Sequence, residues 1–252
     1  MDNITLGADE RLDTVNEQIK IIQKKDGLTF GTDAFLLASF IKPSPKAQAV
    51  ELGAGTGIIS LLLRARERVG SIYAVEIQKD FADITRRNVA INGMDNSINV
   101  LCCDARNVTP SDIGGEADVV FSNPPYMKTD SGKRNDHDYK YIARHEVCGD
   151  IDSFCKAAFR LLKHGGKFYA VWRPDRLTDI IASMRENRLE PKIMTFVHAD
   201  NDSIPSMVLI SATKGGASGM RVTAPLMLYD SKDRHEMSEK AKKIYENMSF
   251  DE

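Results

Sequence analysis

The chain has 252 residues, 42% of them hydrophobic, and its 34 basic and 36 acidic side chains leave a formal net charge of −2 and a pI near 6.2. That apolar content is ample for a sizeable core and excludes wholesale disorder. The balanced charge excludes a global basic field, so a nucleic-acid partner has to be met by a local patch.

Met1–Leu6 shows no basic flank followed by an apolar stretch, and the longest aliphatic run, Ile58–Leu63, is too short to span a bilayer. A cytoplasmic protein with no membrane partner is expected. Cys102, Cys103, Cys148 and Cys155 form no C-x-x-C pair, so no metal is expected, and all four are read as reduced, mostly buried thiols.

Residues 1–46 carry no clear alternation of elements and form an N-terminal extension. From position 47, short apolar runs alternate with segments of helical period, the pattern of a parallel sheet covered on both faces. Strands are predicted at Ala47–Leu52, Ser71–Ile77, Ile98–Cys102, Ala117–Ser122, Lys167–Trp172, Lys192–His198 and Met207–Thr213. Helices are predicted at Gly57–Arg68, with Gly70 as its stop, and at Lys79–Asn92, with Phe81, Ile84 and Ile91 on one face. A third spans Ser153–Lys163, capped by Asp152 and stopped at Gly165-Gly166, and a fourth spans Asp175–Asn187. The domain so defined covers 47–214. A tail over 215–252 contains a short helix capped by Ser238, whose Ala241, Ile244, Tyr245 and Met248 make a core-docking stripe.

The chemistry begins where the first strand ends. Glu51-Leu52-Gly53-Ala54-Gly55-Thr56-Gly57 leads from that strand into a helix, and its glycines permit positive φ and close approach of a ligand to the backbone. Glu76 ends the next strand, about 20 residues on, the spacing at which a carboxylate accepts hydrogen bonds from a ribose diol. The bland alternative is a tight turn and a solvated strand-end charge. The loop is G-x-G-x-G, not the G-x-G-x-x-G of dinucleotide sites, and Glu51 precedes it; this suits a ligand with a carboxylate, an ammonium group and no phosphate.

Glu51–Gly57, Glu76 and Cys103-Asp104-Ala105 together resemble the first three motifs of class I S-adenosylmethionine-dependent methyltransferases. The resemblance implies an α/β, Rossmann-like fold with a seven-stranded, mostly parallel sheet, helices on both faces and an antiparallel final hairpin. It implies S-adenosylmethionine as cofactor, with Gly53, Gly55 and Gly57 beside Glu51 at the methionine moiety, Glu76 on the ribose and Asp104 on the adenine amine. Ile77, Ala105 and Asn123 complete that set. On its residues alone, Asp104 reads equally as a turn or capping residue after the third strand.

Asn123-Pro124-Pro125-Tyr126 follows the fourth strand, where ligands of open α/β sheets sit. Prolines have fixed φ and no N–H, so the stretch is a rigid set of acceptors without competing donors. A planar amine, such as the exocyclic nitrogen of adenine or a glutamine amide, is a poor nucleophile. The Asn123 oxygen and the Pro124 carbonyl would take its two N–H bonds and Tyr126 would stack on its ring, which assigns these three the catalytic role. A plain strand-terminating turn is the alternative. N-P-P-Y is a signature of amino-methyltransferases, a group that includes adenine-N6 and release-factor glutamine enzymes.

Gln23–Leu37 and Ile142-Ala143-Arg144-His145-Glu146 are similar to segments of bacterial tRNA(Val) (adenine-N6)-methyltransferases. This implies N6-methylation of adenine in RNA, in tRNA(Val) next to the anticodon, with Phe30, Gly31, Thr32 and Asp33 forming a lid over cofactor and base. Read locally, the same stretch opens an amphipathic helix capped by Thr32 or Asp33. The alternatives are N5-glutamine methylation of a protein such as a release factor, for which 46 residues leave little room for an N-terminal bundle, methylation of an exocyclic amine in rRNA or DNA, and a non-enzymatic cofactor-binding module. Lys128–Arg144 reads as a mobile loop whose Lys133, Arg134 and Arg144, with Tyr139 and Tyr141, would engage RNA, or as a solvated surface; His137 and His145 read as surface residues or substrate contacts.

Overall fold

The computed structural model describes residues 5–25, 31–124, 150–233 and 235–250. The chain opens with a hairpin that periodicity did not announce, β1 (Glu10–Thr14) antiparallel to β2 (Lys20–Lys24). The helix α1 (Thr32–Phe40) follows, and then alternating strands and helices: β3 (Ser44–Leu52), α2 (Ile58–Ala65), β4 (Val69–Glu76), α3 (Lys79–Ile91), β5 (Ile98–Cys102) and β6 (Ala117–Ser122). After position 149 come α4 (Ile151–Leu161), β7 (Leu162–Trp172), α5 (Leu177–Glu186), β8 (Leu189–His198) and β9 (Pro205–Lys214). Two-residue strands β10 (Arg221–Val222) and β11 (Leu226–Met227) precede the last helix, α6 (Glu239–Asn247).

Strands β3 to β9 are the seven expected ones. They lie in the order β8-β9-β7-β6-β3-β4-β5, and β10 and β11 add to the outer edge of β8, making nine strands in one sheet. All pairings are parallel except those of β9 with β7 and β8. Alternate residues feed opposite cores, as a period of two requires: Tyr169 and Val171 face one side of β7, Phe168 and Ala170 the other. Residues of α1, α2 and α6 fill the first core and those of α4 and α5 the second, so both faces are covered.

The order of strands reverses at β3: β4 and β5 lie to one side, β6 and β7 to the other. That switch point opens a crevice beyond the carboxyl ends of β3 and β6. The hairpin is fastened beside it, since Ile22 N–H donates to Asn88 Oδ1 at 2.6 Å, Asn88 Nδ2 returns a bond to Ile22 O at 3.0 Å, and Arg87 grips Glu10 with both guanidinium nitrogens at 2.8 and 2.6 Å. Arg87 holds the Glu10 carboxyl down to about 2.

Several local expectations are corrected. Asp150, not Asp152, caps α4, accepting from Ser153 N at 2.9 Å, while Asp152 pairs with Lys156 at 2.7 Å. That helix ends at Leu161 and runs directly into β7, so Gly165 and Gly166 are strand residues. α2 ends at Ala65, and Gly70 lies inside β4, where a Cβ would sit 2.9 Å from Pro45 O. The N-cap position of α1 is Gly31 with no side-chain cap, and Leu36 through Phe40 are all buried, so α1 is a core helix without a solvent stripe. Of the cysteines described, Cys155 is buried, Cys103 half-buried and Cys102 exposed. Ser238 does cap α6, accepting from Ala241 N at 3.1 Å.

Candidate active site

The carboxyl ends of four adjacent strands line up along the crevice. Leu52 of β3 pairs with Val75 of β4, Glu76 of β4 with Cys102 of β5, and Glu51 of β3 with Phe121 of β6. The residues that leave these strands, Gly53, Ile77, Cys103 and Asn123, therefore emerge side by side, and Ser122 Oγ donates to Leu52 O at 2.7 Å to tie β6 to β3.

The glycine loop takes the backbone its glycines permit. Gly53, Gly55 and Gly57 have φ of +76, +58 and +80°, conformations that disfavour side chains. Two donors secure its far side: Thr85 Oγ1 to Gly55 O at 2.7 Å and Asn88 Nδ2 to Thr56 O at 2.9 Å. Glu76 secures the near side, its Oε2 accepting from Gly55 N and its Oε1 from Gln78 N, both at 2.8 Å. Glu76 is 5% exposed, which removes the solvated-charge alternative. Burial pushes its carboxyl up, against the backbone donors of Gln78, Gly55 and Ile77.

Glu51 is 1% exposed and accepts from Ser60 N at 3.2 Å and from the Ser60 hydroxyl. Burial pushes it up to about 8. Burial thus favours its neutral form, and its bonds to Ser60 turn it towards α2.

Asp104 is half-buried and clasped by Arg106, whose Nε and Nη2 lie 2.9 and 2.6 Å from Oδ2, while Arg106 N donates to Oδ1 at 2.8 Å. Arg106 holds its carboxyl below the usual range. The turn reading of Asp104 is thus realised, and it stands two residues past Cys102, the partner of Glu76. Ala105 is half-buried beside it, and its carbonyl accepts from Arg160 Nη2 at 3.1 Å.

Asn123 is half-buried and Pro124 buried. Asn123 Nδ2 donates to Asp33 Oδ2 at 3.0 Å, and Asp33 Oδ1 accepts from Ala34 N at 2.9 Å. The first turn of α1, with Gly31 and Thr32, is thereby brought against the end of β6. Thr32 in turn stands close to Tyr245, whose ring stacks on Phe35 with centroids 4.3 Å apart and planes within 5°. Phe30, Tyr126, Lys133, Arg134 and Arg144, the other calls on the 128–144 loop, and His145 lie outside the described residues.

Sequence reasoning missed Thr85, Asn88, Ser60 and Tyr245. The available signal was chemical: Thr85 and Asn88 are polar residues among the buried positions of α3. Among the described residues, no group of three or more His, Cys, Asp or Glu side chains is placed to hold a metal, and no helix is long and apolar enough to cross a membrane.

Comparison with known proteins agrees with this architecture. Residues 24–186 match the family model of the methyltransferase small domain. The tRNA1(Val) (adenine(37)-N6)-methyltransferase of Phocaeicola vulgatus is 30% identical over 199 residues, covering 77% of this chain and 81% of that one. The protein of the same description from Pedobacter heparinus is 24% identical over 186 residues, 74% of this chain and 77% of its own. A predicted O-methyltransferase of Agrobacterium tumefaciens superposes with a TM-score of 0.69 at 21% identity, over 86% of this chain and 97% of that one. TYW2 of M. jannaschii, in complex with AdoMet, superposes with a TM-score of 0.56 at 14% identity, over 84% and 88%.

Proposed function

The chain belongs to the methyltransferase small domain family, and from that premise we propose that it transfers the methyl group of S-adenosylmethionine to the exocyclic N6 of an adenine in tRNA. The relatives described as tRNA1(Val) (adenine(37)-N6)-methyltransferases support adenine 37 of that tRNA as the acceptor. The observation that carries the reading is the position of Asn123, one residue past the end of β6 at the switch point and held by Asp33.

The cofactor fits an observation of the loop itself. A Cβ on Gly55 would meet nothing within 4 Å, so the space against that backbone is open, and the buried Glu76 carboxylate beside it keeps lone pairs for a diol. Gly53, Gly55 and Gly57 would hold the methionine end, Glu76 and Ile77 the ribose, and Asp104 and Ala105 the adenine. When bound, S-adenosylmethionine supplies an electrophilic methyl group.

The remaining work falls to the protein's own groups. Asp33 Oδ2 takes the Asn123 N–H, which turns the amide oxygen away from Asp33. That oxygen and the Pro124 carbonyl accept the two N–H bonds of the target amine and hold its nitrogen in line. Such placement is worth roughly 7–11 kcal/mol for well-oriented reactants, and the same dipoles stabilise charge developing on nitrogen. The proton leaves only after the amine has become cationic, so no general base is needed beforehand. The base must be unstacked from the RNA to reach the crevice.

Incubating the full chain with methyl-labelled S-adenosylmethionine and either total tRNA or total protein, followed by nucleoside and amino-acid mass spectrometry, tests the reading. Label in N6-methyladenosine is the expected result. Label on glutamine overturns the substrate.

A further inference from the structure

A second concave site lies on the sheet face that α1 covers, towards the outer edge at β8. A cavity of about 90 Å³ opens to solvent between the carboxyl end of α1, the start of β4 and the edge where β10 joins β8, and its wall carries Lys42, Arg68, Arg221 and Lys240. No acidic residue lines it among the described residues. Lys42 leads into β3 and Arg68 into β4, whereas Gly53 and Glu76 stand at the far ends of those strands. The cavity lining shares no residue with the crevice at the switch point, and along α1 Phe40 of the cavity stands about 10 Å from Asp33 of the crevice.

Lys42, Arg221 and Lys240 are exposed, and among the described residues none of the three forms an ion pair. Arg68 is 6% exposed and anchored, with Nη2 donating to Ser39 O at 3.2 Å and to Ile41 O. The floor is aromatic: the Phe40 ring meets Tyr169 and Phe250 edge-on at 6.0 and 5.5 Å. Like charges gathered at one concave surface repel one another and raise the local potential for an anion of matching charge. A phosphate group answers this arrangement, because guanidinium forks and ammonium points are the usual donors to its oxygens.

We propose that this cavity is a phosphate-binding site, filled either by the sugar-phosphate backbone of an RNA strand or by a free nucleotide. Asp251 and Glu252 follow Phe250 and lie outside the described residues, so binding is to be measured on the full chain, which carries both acids.

The test uses a variant carrying Lys42→Gln, Arg221→Gln and Lys240→Gln, three exposed positions away from the methyl-transfer crevice. Pyrophosphate and tRNA binding are measured at one fixed ionic strength, with S-adenosylmethionine affinity and circular dichroism as controls. Losing charge-assisted hydrogen bonds at this site should lower affinity by about tenfold or more, with the two controls unchanged. A loss that includes tRNA assigns the site to an RNA backbone, and a loss confined to pyrophosphate assigns it to a free nucleotide. Parent-level binding of both by the folded variant overturns the proposal. Arg221→Gln alone is read the same way should the combined variant fail to fold. The outcome does not depend on which nitrogen is methylated.

Discussion

Asp33 and Asn123 are 90 residues apart in the chain and 3.0 Å apart in space, with the Asn123 amide nitrogen donating to the Asp33 carboxylate. The bond joins the first turn of α1 to the end of β6 and orients the amide on which the proposed chemistry depends. Asn123→Ala should retain S-adenosylmethionine binding and lose methyl transfer; normal turnover in that variant would sink the acceptor mechanism. Asp33→Ala should leave the amide unoriented and lower kcat by about 100-fold, the scale of a 1 Å misplacement. Asp33→Asn, which can still present an oxygen to Asn123, should fall between the two. A rise in the cofactor's Kd with kcat unchanged would instead place Asp33 on the cofactor alone.

Gly57 is held from two directions. Its φ is +80°, and a Cβ there would stand 2.7 Å from Thr85 Cγ2. The left-handed backbone costs an alanine about 1–2 kcal/mol, and the overlap adds to it. Gly57→Ala should therefore lower the urea midpoint. Adding Thr85→Ser, which removes the offending methyl and keeps the hydroxyl bonded to Gly55 O, should recover part of the loss. Equal midpoints for the single and double variants would show that the Thr85 methyl yields without cost.

Glu51 makes stability depend on pH. Its folded pKa, about 8, lies above its ordinary value of 4.5, so between those limits the folded chain holds a proton that the unfolded chain releases. The stabilisation is complete below pH 4.5 and is lost as the pH rises through 8. Glu10 works in the opposite sense, since its folded pKa of about 2 makes its contribution full above 4.5 and constant from there upward. Comparing thermal midpoints at pH 5.5 and 8 separates the two. The parent should fall across that interval, and Glu51→Gln, which keeps the shape and removes the titration, should fall less.

These relationships mark the limit of what the sequence discloses. The strands were legible because an apolar run such as Ala117–Ser122 declares itself locally, and the loop with Glu76 was legible because close chemistry at a fixed interval does the same. The β1–β2 hairpin was not, because Ile22 draws its order from Asn88, 66 positions away. Sequence alone does not separate Asp150 from Asp152 as the cap, because two aspartates two apart offer the same side chain and only backbone φ and ψ decide between them. Asn123 was found by its motif. Its partner Asp33 was placed in a lid by resemblance, and the bond between them exists only once the strand order has brought α1 over β6.

The C-terminal helix extends that chain of contacts. Tyr245 of α6 stacks on Phe35 and lies close to Thr32, the neighbour of Asp33, so the last helix of the protein bears on the turn that holds Asn123. The two contacts are separable. Tyr245→Phe keeps the stack and removes the hydroxyl, so thermal stability should stay within about 1 kcal/mol of the parent, while a loosened first turn of α1 lowers kcat severalfold. Tyr245→Ala removes the ring as well and should cost about 2 kcal/mol, less than a fully buried aromatic because the side chain is half-exposed, together with a larger loss of kcat. If both variants lost stability and neither changed kcat, α6 would be a core-covering helix with no hold on the site. A loss of kcat in Tyr245→Phe at unchanged stability would instead show that the tail sets the position of Asp33 through Thr32.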